Sequence, residues 1–462
     1  MCTLIVIGFL ASLIKKDILS FQSQATPTTS AANPKQIVVD NQVRPLPGKI
    51  NNIPIFNSNS PEWIKKAGIL LSTFPPENKK VPTAHLNYPF QGEFEIFAHH
   101  FTHEPPNLDT LYIGIIVHNP GTESITLKLP AAASYLMNPD APFQQQPPMS
   151  ENPQGEIYSG PGIRAVDHIL RDIRQPDFPA ELVINSRESK ILLNHPIPVR
   201  GLERAVNGRS TFMRLESSGQ VYVASLAMYA QKNADGSDRA PNLQEWEQLL
   251  TTGNLALPRD KTPTPPNQTS GVLIYGRVAG VQSGARWEAT IVDRGESLKI
   301  PTPGEGFSYV INTLRGGTLG TGQVQAAKML VRYPDTAYEA QANYGVHYDL
   351  TLPLINATAE VQTVALTLET PLKEEKLSQG GLIFRQPPWD YPLFRGTVRL
   401  RYQDDEGQEV TRYVHLWHRR GELLEALMKL KLAGGEKREV RIDFLYPPDS
   451  VPPQVLTVRT LD

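Results

Sequence analysis

The sequence predicts a mostly β protein, built as two tandem antiparallel β-sandwich-like domains of which the first carries accessory helices. Three observations predict it. Residues 111–129, LYIGIIVHNPGTESITLKL, return in altered form at 348–368, YDLTLPLINATAEVQTVALTL. In the first stretch Leu111, Ile113, Ile115 and Val117 share one face of a period-two element, and Ile125, Leu127 and Leu129 do so after the break at Asn119-Pro120-Gly121. In the second, Leu350, Leu352 and Leu354 are followed, past Asn356, by Val364, Leu366 and Leu368. One buried and one wet face is the pattern of an antiparallel sandwich sheet. Proline is the second observation: 41 of 462 residues, well above the usual ~5%. Helix interiors reject proline, whereas strand ends and turns accept it. The third is residues 257–271, LPRDKTPTPPNQTSG, four prolines with almost no apolar content, which reads as a boundary.

The expected organisation is an export signal at 1–25, a polar leader at 26–42, a first sandwich at 43–257, a proline-rich linker at 258–270 and a second sandwich at 271–462. The apolar run at 3–14, TLIVIGFLASLI, has 12 residues, short of the ~20 that a spanning helix needs. Ser23-Gln24-Ala25 offers a small-x-small cleavage pattern, so the mature chain is expected to start near Thr26. No Lys or Arg precedes the run, while Lys15 and Lys16 follow it, which leaves an uncleaved anchor open beside a cleaved signal. Cys2 is the sole cysteine, so neither disulfides nor a thiolate metal site are expected. A net charge of −2 gives no electrostatic case for nucleic acid or an anionic membrane surface. These features place the protein in the periplasm or outside the cell, with no integral membrane domain beyond the N-terminal segment.

In order along the chain, residues 90–101 alternate as a strand, and 139–161, rich in Pro, Gln and Asn, read as loop. Residues 163–173 form an amphipathic helix candidate with Ile163, Val166, Ile169, Leu170 and Ile173 on one face. Residues 182–199 read as a hairpin, followed by strands at 213–215 and 221–229. A second helix at 242–252 starts with Asn242 and Glu245 in capping-box spacing, carries Leu243, Trp246, Leu249 and Leu250 on one face, and stops at Gly253. After the linker the pattern is almost purely β, including hairpins at 394–417 and before the C-terminus. The plan of 181–199 returns at 428–448: strand, tight turn ending in Glu, longer strand. Asn119 and Asn356 are 237 apart and Glu188 and Glu436 are 248 apart, so two similar offsets in one order suggest a duplicated sandwich.

The stretches VRPLPGKINNIPIFNSNSPEW, LLSTFPPENKKVPTAHLNYPFQGEFEIFAHH, IYGRVAGV, MLVRYPDTAYEAQANYGVHYDLTLPL and LYPPDSVPPQVLTVRTL, among others spread over residues 43–461, resemble a cyanobacterial domain-of-unknown-function family, number 3370. The resemblance implies no activity and no catalytic residues. Its cyanobacterial distribution implies a bacterial envelope setting.

No catalytic motif stands out. His85, His99, His100, His103 and His118 are half of the ten histidines within 34 residues. Imidazole clusters can hold Zn or Cu, but on a strand running into a loop this spacing does not converge as on a helix, so no metal and no cofactor is expected. The glycine-rich 315–322 lacks the context of a phosphate loop, and Asn233 to Asp238 lacks the last ligand of a calcium loop. The most specific candidate is the hairpin at 394–417. If Val398, Leu400, Tyr402, Val410, Val414 and Leu416 face the core, then Arg395, Arg399, Arg401, Tyr413, His415 and Trp417 share the other face. Arginines among flat aromatics suit sugars or acidic polymers, so Arg399, Arg401, Tyr413, His415 and Trp417 are the expected ligand-binding residues, at least partly exposed. The competing expectation is that this face docks on the first domain. The function expected is that of an exported, non-enzymatic cell-envelope protein binding a polysaccharide or an envelope protein. The alternative is a hydrolase acting on polysaccharide or ester, with its site near His85 to His118.

Overall fold

The computed structural model describes residues 34–462 except 269 and 294. The expected export signal and residues 26–33 lie outside the described residues. Among the described residues no helix is long and apolar enough to cross a membrane.

The chain is mostly β, as its alternating pattern predicts, and each half pairs strands into two facing sheets. In the first half, one sheet orders Glu181–Ile184, Ile125–Leu136, Val206–Tyr229, Phe90–His103 and Ile55–Ser58. The facing sheet holds Ser189–Ile197, Leu111–His118 and Gly68–Ser72. Val206–Tyr229 serves both: its start pairs with Phe90–His103, its end with Leu111–His118, and the register breaks between Ser217 and Val221. The small residues Ser218 and Gly219 let the strand cross from one sheet to the other there. In the second half, a sheet with Glu409–Arg419, Pro392–Gln403, Lys437–Leu445, His347–Ile355 and Arg286–Thr290 faces one with Gly306–Ile311, Gln454–Thr460, Gln362–Glu369 and Met428–Leu432.

The two related stretches are arches rather than hairpins: each sends its strands to opposite sheets. The asparagine at each corner is buried and makes the same bonds. Asn119 Nδ2 donates to Glu123 O at 2.7 Å and to Ile184 O at 3.1 Å, and Asn356 Nδ2 donates to Glu360 O at 2.7 Å and to Leu432 O at 2.9 Å. Each asparagine N–H also donates to a glutamate carbonyl, Glu188 or Glu436, at 3.0 Å. The Glu188 carboxylate closes its turn on Asn185 N and that of Glu436 on Ala433 N. A carboxamide that bridges strand and turn satisfies several buried backbone groups at once, which is why Asn stands at both corners.

Leu111–His118 departs from the expected wet face. Its second face is covered by the helix Leu243–Thr252, whose Trp246 and Leu250 pack on Ile116, Ala224 and Leu226. The capping box is present, Glu245 N donating to Asn242 Oδ1 at 3.0 Å and Asn242 N to Glu245 Oε2 at 2.8 Å. Gly114 allows the indole to lie against the sheet, because a Cβ there would sit 2.5 Å from Trp246 Cε2. The other helix, Pro161–Leu170, buries Ile163, Val166, Ile169 and Leu170 as its periodicity predicts. It ends before Ile173, which is exposed, because Asp172 takes a left-handed φ of 56°.

Strand pairing crosses the expected boundary at 258–270 in both directions. Lys35–Val39, Gln42–Pro45 and Lys49–Ile50 pair with second-half strands, and Met149–Glu151 pairs with Glu409–Arg419. Ala279–Gln282 pairs with Ile55–Ser58 in the first-half sheet and carries Ala327–Arg332 with it. One core cluster runs from Ala131, Ala133 and Tyr135 through the helix residues Val166 and Ile169 to Val398, Leu416 and Ile442.

Candidate functional site

The hairpin at 394–417 has the facing that its alternation predicts. Arg395 pairs with Trp417, Thr397 with His415 and Arg399 with Tyr413, all on the face opposite Val398, Val414 and Leu416. Arg399, Arg401 and Tyr413 are partly exposed as expected, but the face is closed at His415 and Trp417, where the expected exposure is corrected. Trp417 is 3% and His415 0% exposed. The stretch 139–161, read as loop, covers them: Met149–Glu151 adds a strand to the edge and Trp417 N–H donates to Pro148 O at 3.0 Å. Beside it, Arg171, just past the first helix, lays its guanidinium 3.9 Å from the Tyr413 ring centre. Arg399 and Arg401 turn to a carboxylate that sequence reading passed over. Asp443, fully buried, accepts Arg399 Nη2 at 2.6 Å, Arg401 Nη2 at 3.0 Å and His347 Nε2 at 3.0 Å. Burial alone would raise its carboxyl, but the bonds from His347 and Arg399 and the Arg399 charge outweigh this and hold it below the ordinary range. The network continues into the first half, where Arg214 Nη2 lies 3.4 Å from His347 Nδ1 and Arg214 Nε lies 3.4 Å from the buried Glu95.

The five clustered histidines do not gather at one point. His85 bonds Ser72 Oγ at 2.9 Å and His118 bonds Ser189 Oγ at 3.1 Å, away from the other three. His100 points to Ser58 Oγ and Pro61 O, and burial lowers it to about 3. His103 is exposed at the rim of a cleft, and His99 points the other way from His100, under the floor of that cleft.

The cleft has a volume of about 980 Å³. Residues 57–65 form one wall, and 258–261 with 274–278 form the opposite one. Residues 340–344 and 450–452 close it. It is therefore built from both sides of the proline-rich stretch. Six cationic side chains line it, Lys65, Arg204, Arg259, Lys261, Arg277 and Lys373, against the two carboxylates Glu62 and Asp260. Arg259 is paired with Asp335 at 2.7 and 2.8 Å and Arg277 with both Glu62 and Asp260, so the positive charge of the cleft rests mainly on its lysines. Trp63, Tyr275 and Tyr344 give the cleft flat apolar surface. Several lining groups are buried without a hydrogen-bond partner: Asn57 Oδ1, Asn59 Oδ1, Trp63 Nε1, Arg259 Nη1 and Gln341 Oε1. Lys373 donates to the Tyr275 hydroxyl, and burial together with Arg420 lowers its amine to about 8.

Behind the lining residue Glu62, His99 and Asp449 join it, the three bringing one donor atom each to within 4.8 Å of one another. Arg277 clamps Glu62 Oε2 at 2.6 Å and Asp260 Oδ1 at 2.9 Å. His99 Nδ1 lies 2.7 Å from Ser210 Oγ, and His99 Nε2 lies 3.5 Å from Asp449 Oδ1. Burial opposes the charged form of both partners. Each nevertheless favours the other's charge, so that Asp449 is held below and His99 above its ordinary value. Ser210, His99 and Asp449 have the composition of a hydrolytic triad, but Ser210 is fully buried within the sheet and so cannot reach a substrate.

None of these groups formed a recognisable sequence motif, because Glu62, His99, Asp260, Arg277 and Asp449 come from separate strands and turns. The one trace in the sequence is that NSNSPEW, IYGRV, QANYG and DSVPP, all within the family-like stretches, line the cleft. Those stretches span most of residues 43–461, so they could not single the cleft out.

No curated protein matches the chain. Among solved structures it aligns with the nodavirus of Macrobrachium rosenbergii at 9% identity, covering 95% of this chain and 93% of that one, with a TM-score of 0.12. It aligns with the 11S allergen of Cocos nucifera at 8% identity, covering 90% and 91%, also with a TM-score of 0.12. At that score neither likeness bears on the fold or the function. The family described as "Protein of unknown function (DUF3370)" matches residues 41–460, nearly the whole described chain, and the chain belongs to that family.

Proposed function

We propose that this is a non-enzymatic binding protein of the cell envelope whose cleft takes a segment of an acidic, hydroxyl-rich polymer such as a uronate-containing polysaccharide. The observation that carries this reading is the lining of the cleft, with six cations against two carboxylates beside Trp63 and Tyr275 and several unpaired hydrogen-bonding groups. A sugar acid matches this lining: carboxylates for exposed lysines such as Lys65 and Lys261, and a ring face for the indole. The wall of Asn57, Asn59 and Gln341 has both donors and acceptors, as a polyol requires. Export rests on the apolar run at 3–14 and on the lack of any cysteine after Cys2. Binding is favoured over hydrolysis because the serine of the triad-like set is sealed in the sheet.

The test is calorimetric titration of the full chain with oligogalacturonate and with a neutral oligosaccharide of equal length. The acidic chain binds, the neutral one binds at least tenfold more weakly, and the difference shrinks with salt. Trp63→Ala and Lys261→Ala each weaken binding by about 1–2 kcal/mol. Equal affinity for both sugars, or no affinity for either, overturns the reading.

A further inference from the structure

We propose that Glu62, His99 and Asp449 form a site for one divalent transition-metal cation, of the zinc or manganese kind, behind the lining of the cleft. The site stands on its own geometry, whatever polymer the cleft above it receives.

Three features point to a metal rather than to a packed polar core. First, the ligand chemistry is right: one imidazole and two carboxylates is a donor set for zinc and manganese. The three come from three separate segments, yet their donor atoms lie within 4.8 Å of one another. Second, two donor atoms of the set are without hydrogen-bond partners. His99 is 2% exposed and its Nε2 has no hydrogen-bond partner, and Asp449 Oδ2 is likewise buried and unpartnered. The 3.5 Å between His99 Nε2 and Asp449 Oδ1 is long for a hydrogen bond. It is close to the ligand–ligand edge of about 3.3 Å expected for a tetrahedral ion with bonds of ~2.0–2.1 Å.

Third, the surrounding groups hold the donors as a metal site requires. Ser210 Oγ, 2.7 Å from His99 Nδ1, can accept the ring proton there and so leave the Nε2 lone pair facing the carboxylates. Arg277 fixes the Glu62 carboxylate through Oε2 at 2.6 Å. Glu62 also lines the cleft, so a bound ion would keep an open position towards it.

The competing account is that His99 is an imidazolium paired with Asp449 and that no ion binds. It is separated by experiment on the full chain, stripped with chelator and titrated with Zn²⁺ alone in a calorimeter, with Co²⁺ substitution followed by visible absorption. The expected result is one ion per chain and a cobalt spectrum of mixed nitrogen and oxygen ligation. Glu62→Gln and Asp449→Asn, which keep shape and remove charge, each abolish uptake. Ser210→Ala weakens it about 10–100-fold. His168→Ala, on the distant first helix, leaves it unchanged and controls for adventitious histidine binding. Circular dichroism of each variant separates lost binding from lost folding, and if either carboxylate variant fails to fold the other decides. Absence of stoichiometric uptake by the native chain, or uptake that persists in a folded Glu62→Gln or Asp449→Asn variant, overturns the proposal.

Discussion

Two carboxylates, the fully buried Asp443 and the part-buried Asp449, stand six residues apart at the end of one chain segment, and their surroundings differ in kind. Asp443 takes two guanidinium groups and an imidazole at 2.6–3.0 Å. Asp449 has only His99 at 3.5 Å, and its second oxygen has no partner. Asp443 reaches the first half of the molecule only through His347 and Arg214, whereas Asp449 joins the two halves directly through His99. The first is saturated, sealed under the first helix and residues 139–161, and has nothing left to offer a ligand. The second is short of partners and lies beneath an open, cationic cleft. Burial of a charge is therefore no sign of function by itself; an unfilled coordination shell beside a cavity is.

The largest expected effect breaks or upholds this contrast directly. Asp443→Ala leaves Arg399, Arg401 and His347 without their common acceptor and costs about 3–5 kcal/mol in urea unfolding. Asp449→Asn, which removes an acid with few bonds to lose, costs about 1–2 kcal/mol. Equal costs would erase the distinction between a structural and a functional carboxylate.

Trp417 lies on the sealed face with Asp443, so Trp417→Ala opens a cavity and costs about 3–4 kcal/mol. A nearly neutral Trp417→Ala would mean that the face is open after all and would restore the hairpin as a binding platform.

A third effect depends on pH. Glu95, 3% exposed, is raised from 4.5 to about 7 by its burial, which Arg214 and Arg286 only partly offset. Between those two values the fold holds a proton that the unfolded chain has released, so stability falls as pH rises across the window. The fall is on the order of 2–3 kcal/mol, and in Glu95→Gln it should vanish when unfolding is measured at pH 4.5 and pH 7.5. Asp443 has the opposite sign: its depressed carboxyl supports the fold above the ordinary carboxylate range, and that support is lost as pH falls below it. A Glu95→Gln variant with the native slope would place the titration elsewhere.

The smallest effect on stability belongs to the cleft. Lys261 is exposed, and Lys261→Ala should change folding by less than about 1 kcal/mol while weakening oligogalacturonate binding. A large loss of stability there would make the cleft wall part of the core, like the face around Asp443.

The sequence by itself determined what is local. Period-two alternation gave the strands of both arches and the facing of the 394–417 hairpin, because side-chain direction along a strand follows from the backbone alone. Asn242 and Glu245 marked the start of the second helix, and the offsets between Asn119 and Asn356 and between Glu188 and Glu436 picked out two corners with matching hydrogen bonds. Only the tertiary structure decided what covers each face. Whether Trp417 meets solvent depends on residues 139–161, more than 250 positions away, and Asp443 reads in sequence as one acid in a strand until Arg399, Arg401 and His347 are brought to it. Likewise the cleft, its positive lining and the meeting of Glu62, His99 and Asp449 arise where strands from both sides of residues 258–270 pack together. Alternation fixes which way a residue points, but not what stands opposite, and it is the opposing surface that makes a core, a sealed ion cluster or a site.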